Sequence, residues 1–159
     1  MKHAATMGPT RGPAPDAPTT HRVLRRRFRV TADRLDRNDH VNNAVYPRWM
    51  QEGRAAFLAE AGWPPASPHA AGVVPVVAEA RVAYRSPLRL GEEAELAVWL
   101  SGLRPASAWA EFRFTGPGGR PVAYGRQRWA FVEAATGRVR RVPPGQRARM
   151  WAFLAAGPP

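Results

Sequence analysis

The chain has 159 residues, with 24 basic and 12 acidic side chains, a net charge of +12 and no cysteine. That length suits one domain with a sizeable core. The lack of cysteine excludes disulfides, a thiol nucleophile and Cys-ligated zinc, which fits a reducing cytoplasm.

No apolar run reaches the roughly 18 residues that a membrane span needs, and no apolar leader segment argues for a signal peptide. Lys2 is the only lysine, and the abundant Ala, Pro, Gly and Arg match a GC-rich gene. Coding bias and an anionic partner explain the charge equally well.

Residues 1–21 are rich in Pro, Gly, Ala and Thr, show no hydrophobic period and read as a disordered tail. One domain is expected over 22–159. Leu24, Arg26, Phe28 and Val30 alternate with Arg25, Arg27 and Arg29, as in a half-buried strand whose arginines form a solvated face. Next come Asp36, Asn38, His40, Asn42 and Asn43, five polar residues between that strand and a helical pattern. Loops held by rigid elements often carry function, and a helix start offers unpaired N–H donors.

The helix is expected over 44–61, with Val45, Trp49, Gly53, Ala56 and Phe57 in one stripe. Pro47 fits its first turn, and Pro64 with Pro65 forbids continuation. A loop is expected over 63–71. In the first of four further strands, Val74, Val76, Ala78, Ala80, Val82 and Tyr84 are expected on one face, with Glu79, Arg81 and Arg85 opposite. Ala94 to Leu100 and Ala108 to Phe114 supply two more alternating inward faces. Gly116-Pro117-Gly118-Gly119 reads as a hairpin turn into Val122–Val132, since no Gly-Lys-Ser/Thr follows to make it a phosphate cradle. That last strand alternates poorly, because Arg126 and Arg128 share a face with Tyr124 and Ala130. A short basic helix over 146–154 carries Arg147, Met150, Trp151 and Leu154 towards the sheet. The pattern is that of an α+β domain, an antiparallel sheet covering one long helix.

Asp-x-Asn-x-His-Val-Asn-Asn over 36–43, followed by Tyr46, Trp49, Glu52 and Arg54, resembles the hotdog-fold acyl-thioesterases. The closer likeness is to the 4-hydroxybenzoyl-CoA thioesterase group of acyl-CoA thioesterases. The plant acyl-ACP thioesterases share the motif. Weaker likeness runs through Tyr84–Glu92 and through Thr136-Gly137-Arg138 with Pro143. Many bacterial relatives have Gly where this chain has Asp39, a departure that bears on the local turn.

The resemblance implies a sheet wrapped around the central helix, pairing into a homodimer or homotetramer, and hydrolysis of acyl-CoA. Release of a fatty or polyketide chain from acyl carrier protein is the alternative reaction, and a non-catalytic acyl-CoA-binding module the alternative class. Nucleic acid is disfavoured as a partner by the intact motif.

Asp36 matches the family's catalytic carboxylate; an ionised aspartate can act as base or nucleophile, and a helix- or turn-capping aspartate with a structural part is the alternative. Asn38 and His40 follow at steps of two, so in an extended segment they share its face. They match active-site residues of the plant enzymes, and structural roles are the alternative. By family analogy the Asn43 N–H points at the thioester carbonyl, while Asn42 and Asn43 also read as helix caps. Glu52 ranks second as the carboxylate, or forms an ion pair with Arg54. Tyr46, Arg85, Ser86 and Arg89 are candidate substrate contacts, the two arginines for coenzyme phosphates. No Gly-x-Ser-x-Gly elbow or dinucleotide fingerprint occurs, and His3, His21, His40 and His69 lack metal-ligand spacing. The sequence implies no cofactor and no metal.

Overall fold

The computed structural model describes residues 21–63 and 72–154. The expected tail, apart from His21, and the loop beyond Trp63 lie outside the described residues. The elements are β1 (Leu24–Arg29), α1 (Val45–Glu60), β2 (Val73–Tyr84), β3 (Glu93–Leu103), β4 (Ser107–Thr115), β5 (Pro121–Glu133) and α2 (Pro144–Trp151). The five strands make one sheet in the order β1-β3-β4-β5-β2, every pair antiparallel. The sheet packs around α1, which is the hotdog arrangement.

Alternation builds the helix-facing side as expected on β3 and β4. Ala94, Leu96, Val98 and Leu100 are fully buried, as are Ala110, Phe112 and Phe114. On α1 the buried stripe is wider than the expected one: Tyr46, Met50 and Leu58 join Trp49, Gly53 and Phe57, whereas Val45 and Ala56 are only half-buried. Small residues let the layers meet. A Cβ on Gly53 would lie 2.6 Å from Leu96 Cδ2, and one on Gly125 would lie 2.6 Å from Met50 Sδ.

β2 departs from its expected face. The register slips between Val77 and Glu79, so Ala78 is bulged out. Opposite residues of an antiparallel pair share a face. Val77, opposite Trp129, therefore faces the helix with Ala80, Val82 and Tyr84, while Val74 and Val76 face outwards. A bulge adds one residue to one strand and reverses the alternation beyond it. β2 is an edge strand, which also lets it hold Pro75.

β5 alternates cleanly once its partners are known. Tyr124, Arg126 and Arg128 lie on the outer face, and Trp129 and Phe131 are buried on the inner. There Arg126 and the Ser101 and Tyr124 hydroxyls surround the buried Glu111 carboxylate. The arginines of β1 are solvated: Arg25 pairs with Glu95, and Arg27 with Glu93 and Glu95.

α2 begins at Pro144, two residues earlier than expected, and its Met150, with the following Phe153, is buried. Trp151 is 49% exposed rather than packed on the sheet, with the Arg147 guanidinium over its ring.

Candidate functional site

The segment expected to be extended is a closed turn. Leu35 and Val41 form an isolated bridge, and the Asp36 N–H donates to His40 O at 2.7 Å. Asp36 Oδ1 accepts the N–H groups of Asn38 (2.8 Å) and His40 (3.3 Å), an Asx-type turn. Asp39 supplies the left-handed residue that closes it, with φ of 57°. This is the position where many relatives have Gly, and aspartate is among the few other residues that tolerate that conformation. The turn brings Asp36 and His40 together and leaves Asn38 exposed at its tip, so the three do not share one extended face.

Two contacts fix the turn to the core. The Asn42 N–H donates to Arg34 O at 2.9 Å, and the Val41 N–H to Leu88 O at 2.9 Å. Val41 and Leu88 are themselves buried. Neither asparagine caps the helix as expected: the N-cap of α1 is Ala44, with no side-chain cap, and Asn42 Oδ1 accepts the N–H of Ala44 at 2.9 Å in the turn before it. Asn43 has a different part. Its carbonyl accepts the Tyr84 hydroxyl at 3.0 Å, and its N–H donates to no group among the described residues.

A cleft of about 250 Å³ opens here, lined by Asp36, His40, Val41, Asn43, Tyr46 and Tyr84 with the Arg85-Ser86-Pro87 turn. Six of the nine sequence candidates thus lie together. Asn38, Glu52 and Arg89 do not line it. Glu52 is exposed on α1 and makes no ion pair with Arg54, which instead donates to Pro75 O. Arg89 is exposed, its N–H bound to Glu92 Oε2 at 2.8 Å.

Ser86 lines the cleft with its hydroxyl engaged, donating to Pro121 O at 2.5 Å and accepting from Arg120 at 2.8 Å. Arg120 is the residue that the sequence did not reveal. It also donates to Pro87 O at 2.6 Å and pairs with Glu92 at 3.1 Å, bracing the wall. It sits just after a hairpin, with no local pattern to mark it.

Tyr46 is 3% exposed and wedged edge-on against Trp49, Tyr84 and Phe114, ring centres 5.3–5.5 Å away. Burial, reinforced by neighbouring Tyr84, pushes its phenol up to about 12. Burial likewise raises Tyr84. Both phenols stay protonated at neutral pH; the Tyr84 proton is spent on the Asn43 carbonyl, which leaves Tyr46 as the phenol that can donate into the cleft. Among the described residues no cluster of three or more His, Cys, Asp or Glu residues could hold a metal.

Geometry of this kind defines a hotdog domain with an acidic, donor-lined cleft at the N-terminus of its central helix. The family model of the thioesterase-like superfamily matches residues 30–150, and the chain belongs to that superfamily. A thioesterase from Thermus thermophilus, solved with coenzyme A and zinc, is 30% identical, with a TM-score of 0.71 over 85% of this chain and 96% of the other. A hypothetical protein from the same organism is 26% identical, with a TM-score of 0.73 over 81% and 98%. A Staphylococcus aureus protein solved in complex with CoA shares the fold at 15% identity, with a TM-score of 0.76 over 87% and 89%. No curated protein matches the chain.

The Tyr46 phenol makes a pH prediction. Its value is raised from 10.0 to about 12 on folding. The unfolded chain therefore loses this proton first, and the contribution to stability present below pH 10 is lost as pH rises towards 12. Tyr46→Phe should flatten the alkaline fall in stability across that window, as read by urea unfolding at stepped pH. An unchanged slope would contradict the assignment.

Proposed function

We propose that the protein hydrolyses acyl-CoA thioesters in the cleft at Asp36. The observation that carries this reading is the pairing of a carboxylate with an unspent donor on one small cleft. Asp36 Oδ1 is held by two backbone N–H groups, and Oδ2 has no partner among the described residues. The free Asn43 N–H lies on the same cleft, ahead of α1, where the helix dipole favours negative charge.

In this reading water enters beside Asp36, which takes its proton as the oxygen attacks the thioester carbonyl carbon. The Asn43 N–H stabilises the oxyanion. Collapse of the tetrahedral intermediate breaks the C–S bond, and the departing thiolate takes up a proton to leave as coenzyme A. His40 stands by as a hydrogen-bonding group on the same wall. Membership of the superfamily and a 30% identical thioesterase solved with coenzyme A support the substrate class.

Asp36→Asn keeps an oxygen for the two backbone N–H groups and removes only the base. We expect kcat/KM to fall at least 100-fold, about 2.7 kcal/mol, with the circular dichroism spectrum and Tm retained. A folded variant within a few-fold of the parent would refute the role.

Arg85 is the exposed cation on the cleft rim and the candidate for the coenzyme phosphates. Arg85→Ala should raise KM for acyl-CoA more than it lowers kcat, because a contact remote from the reacting carbon binds ground and transition states alike. The effect should vanish with a short pantetheine thioester that lacks the nucleotide. Equal losses on both substrates would assign Arg85 to the loop instead.

A homodimer completes the proposal. β2 leaves one edge unpaired, with Val76 and Val77 about 40% exposed on it, and a second copy would cover that edge. Sedimentation should give at least twice the chain mass; a monomer at assay concentration would overturn this.

A further inference from the structure

Arg54 has no role in the chemistry above. Burial lowers its pKa. Its Nη2 donates to Pro75 O on β2, and its guanidinium carbon lies 5.7 Å from the Trp129 ring centre. Its Nε is buried without an acceptor. No carboxylate pairs with it among the described residues, and residues 64–71 contain no acid. A guanidinium has five N–H donors. One carbonyl and one aromatic face leave the buried Nε–H without an acceptor and give Nη1 no hydrogen bond to the described residues.

Its position gives the partner. Tyr46, Met50 and Arg54 recur every fourth residue, so they form one line along the side of α1 that faces β5 and β2. Tyr46 meets Tyr84 at one end of that line, and Arg54 meets Pro75 at the other. Between them the helix-facing side of β2 is apolar and open within a single chain: Val77 is 42% and Tyr84 44% exposed, Ala80 is exposed, and Val82 is half-buried. These apolar side chains run from Tyr46 and Tyr84, which line the cleft, towards Arg54. The helix rises about 12 Å between Tyr46 and Arg54, a span that suits an extended medium-length acyl chain.

We propose that Arg54 anchors the far end of the acyl track and selects chains that end in a carboxylate, the monothioesters of α,ω-dicarboxylic acids. A terminal carboxylate can take two of the unused N–H groups side by side. A methyl end would leave them bare. The proposal rests on the thioesterase reading and adds the acyl class to it.

The test measures thiol release from decanoyl-CoA and from the mono-CoA thioester of decanedioic acid, with the parent chain, Arg54→Met and Arg54→Lys. The parent should favour the dicarboxylic thioester at least tenfold in kcat/KM, mostly through KM. Arg54→Met should abolish or reverse that preference, while Arg54→Lys keeps part of it. Equal rates on both thioesters by the parent, or equal losses on both in a folded Arg54→Met, would overturn the assignment and make Arg54 a brace for β2. Loss of the dimer in Arg54→Met with an unchanged preference would overturn it too, in favour of a partner contact. Hydrolysis of neither thioester by the parent would overturn the thioesterase reading itself, and this inference with it.

Discussion

The close approach of α1 to the sheet sets the position of everything that matters chemically. Gly53 has a core leucine where its Cβ would be, and Gly125 has Met50 in the same relation. With no side chain at either point, the helix sinks until Trp49 and Phe57 are fully covered. Apolar burial of such large side chains contributes about 1.5–3 kcal/mol each. Phe57 is clamped between Trp129 and Phe153, and Trp49 stacks on Phe28 at 5.0 Å. Both ends of the helix are thereby fixed relative to the strands. The cleft is what remains between the helix N-terminus and the Tyr84–Pro87 turn.

The same depth explains why the turn before α1 is so tightly built. Its last residues must reach a helix start dictated by the core. The Asp39 N–H bond to Asp36 O, the Asp36 Oδ1 contacts and the Asn42 Oδ1 contact with the Ala44 N–H each satisfy backbone groups that would otherwise be unpaired there. The Asp36 carboxylate therefore serves two ends with different atoms. One oxygen organises the turn, and the other has no partner among the described residues. A polar side chain that stabilises its own loop is held in one orientation, which is the preorganisation that proton transfer requires.

How much of this could be read from the sequence depended on whether the deciding interaction was local. Period-2 patterning placed the inward faces of β3 and β4, because burial on one side of a strand is written in adjacent residues. The Gly-rich hairpin was legible for the same reason. On β2 the pattern misled: one bulged residue at Ala78 exchanges the faces, and nothing in Val-Val-Ala-Glu marks a bulge that is set by pairing with β5. The polar motif marked the loop that lines the cleft but not its shape. Read as extended, it joined Asn38 to Asp36, whereas the turn puts Asn38 outside. Arg120 was invisible because its partners, Ser86, Pro87 and Glu92, lie about thirty residues away.

Charge follows the same division. Many arginines on the strands are matched by glutamates on neighbouring strands, as Arg25 is with Glu95 and Arg126 with Glu111. An exposed pair such as Arg25–Glu95 contributes little to stability, about 0–1 kcal/mol, whereas Glu111 is buried; together such pairs consume much of the acid available in a chain with 12 acidic residues. Arg85 at the rim is left without an acidic partner among the described residues, and so is Arg54. The excess of +12 is therefore not spread evenly: the matched arginines serve the sheet, and under the proposals above Arg85 and Arg54 are left to meet negative charge on a substrate. A substrate that brings negative charge to both, phosphates at one end and a carboxylate at the other, would satisfy what the protein's own acids leave unsatisfied.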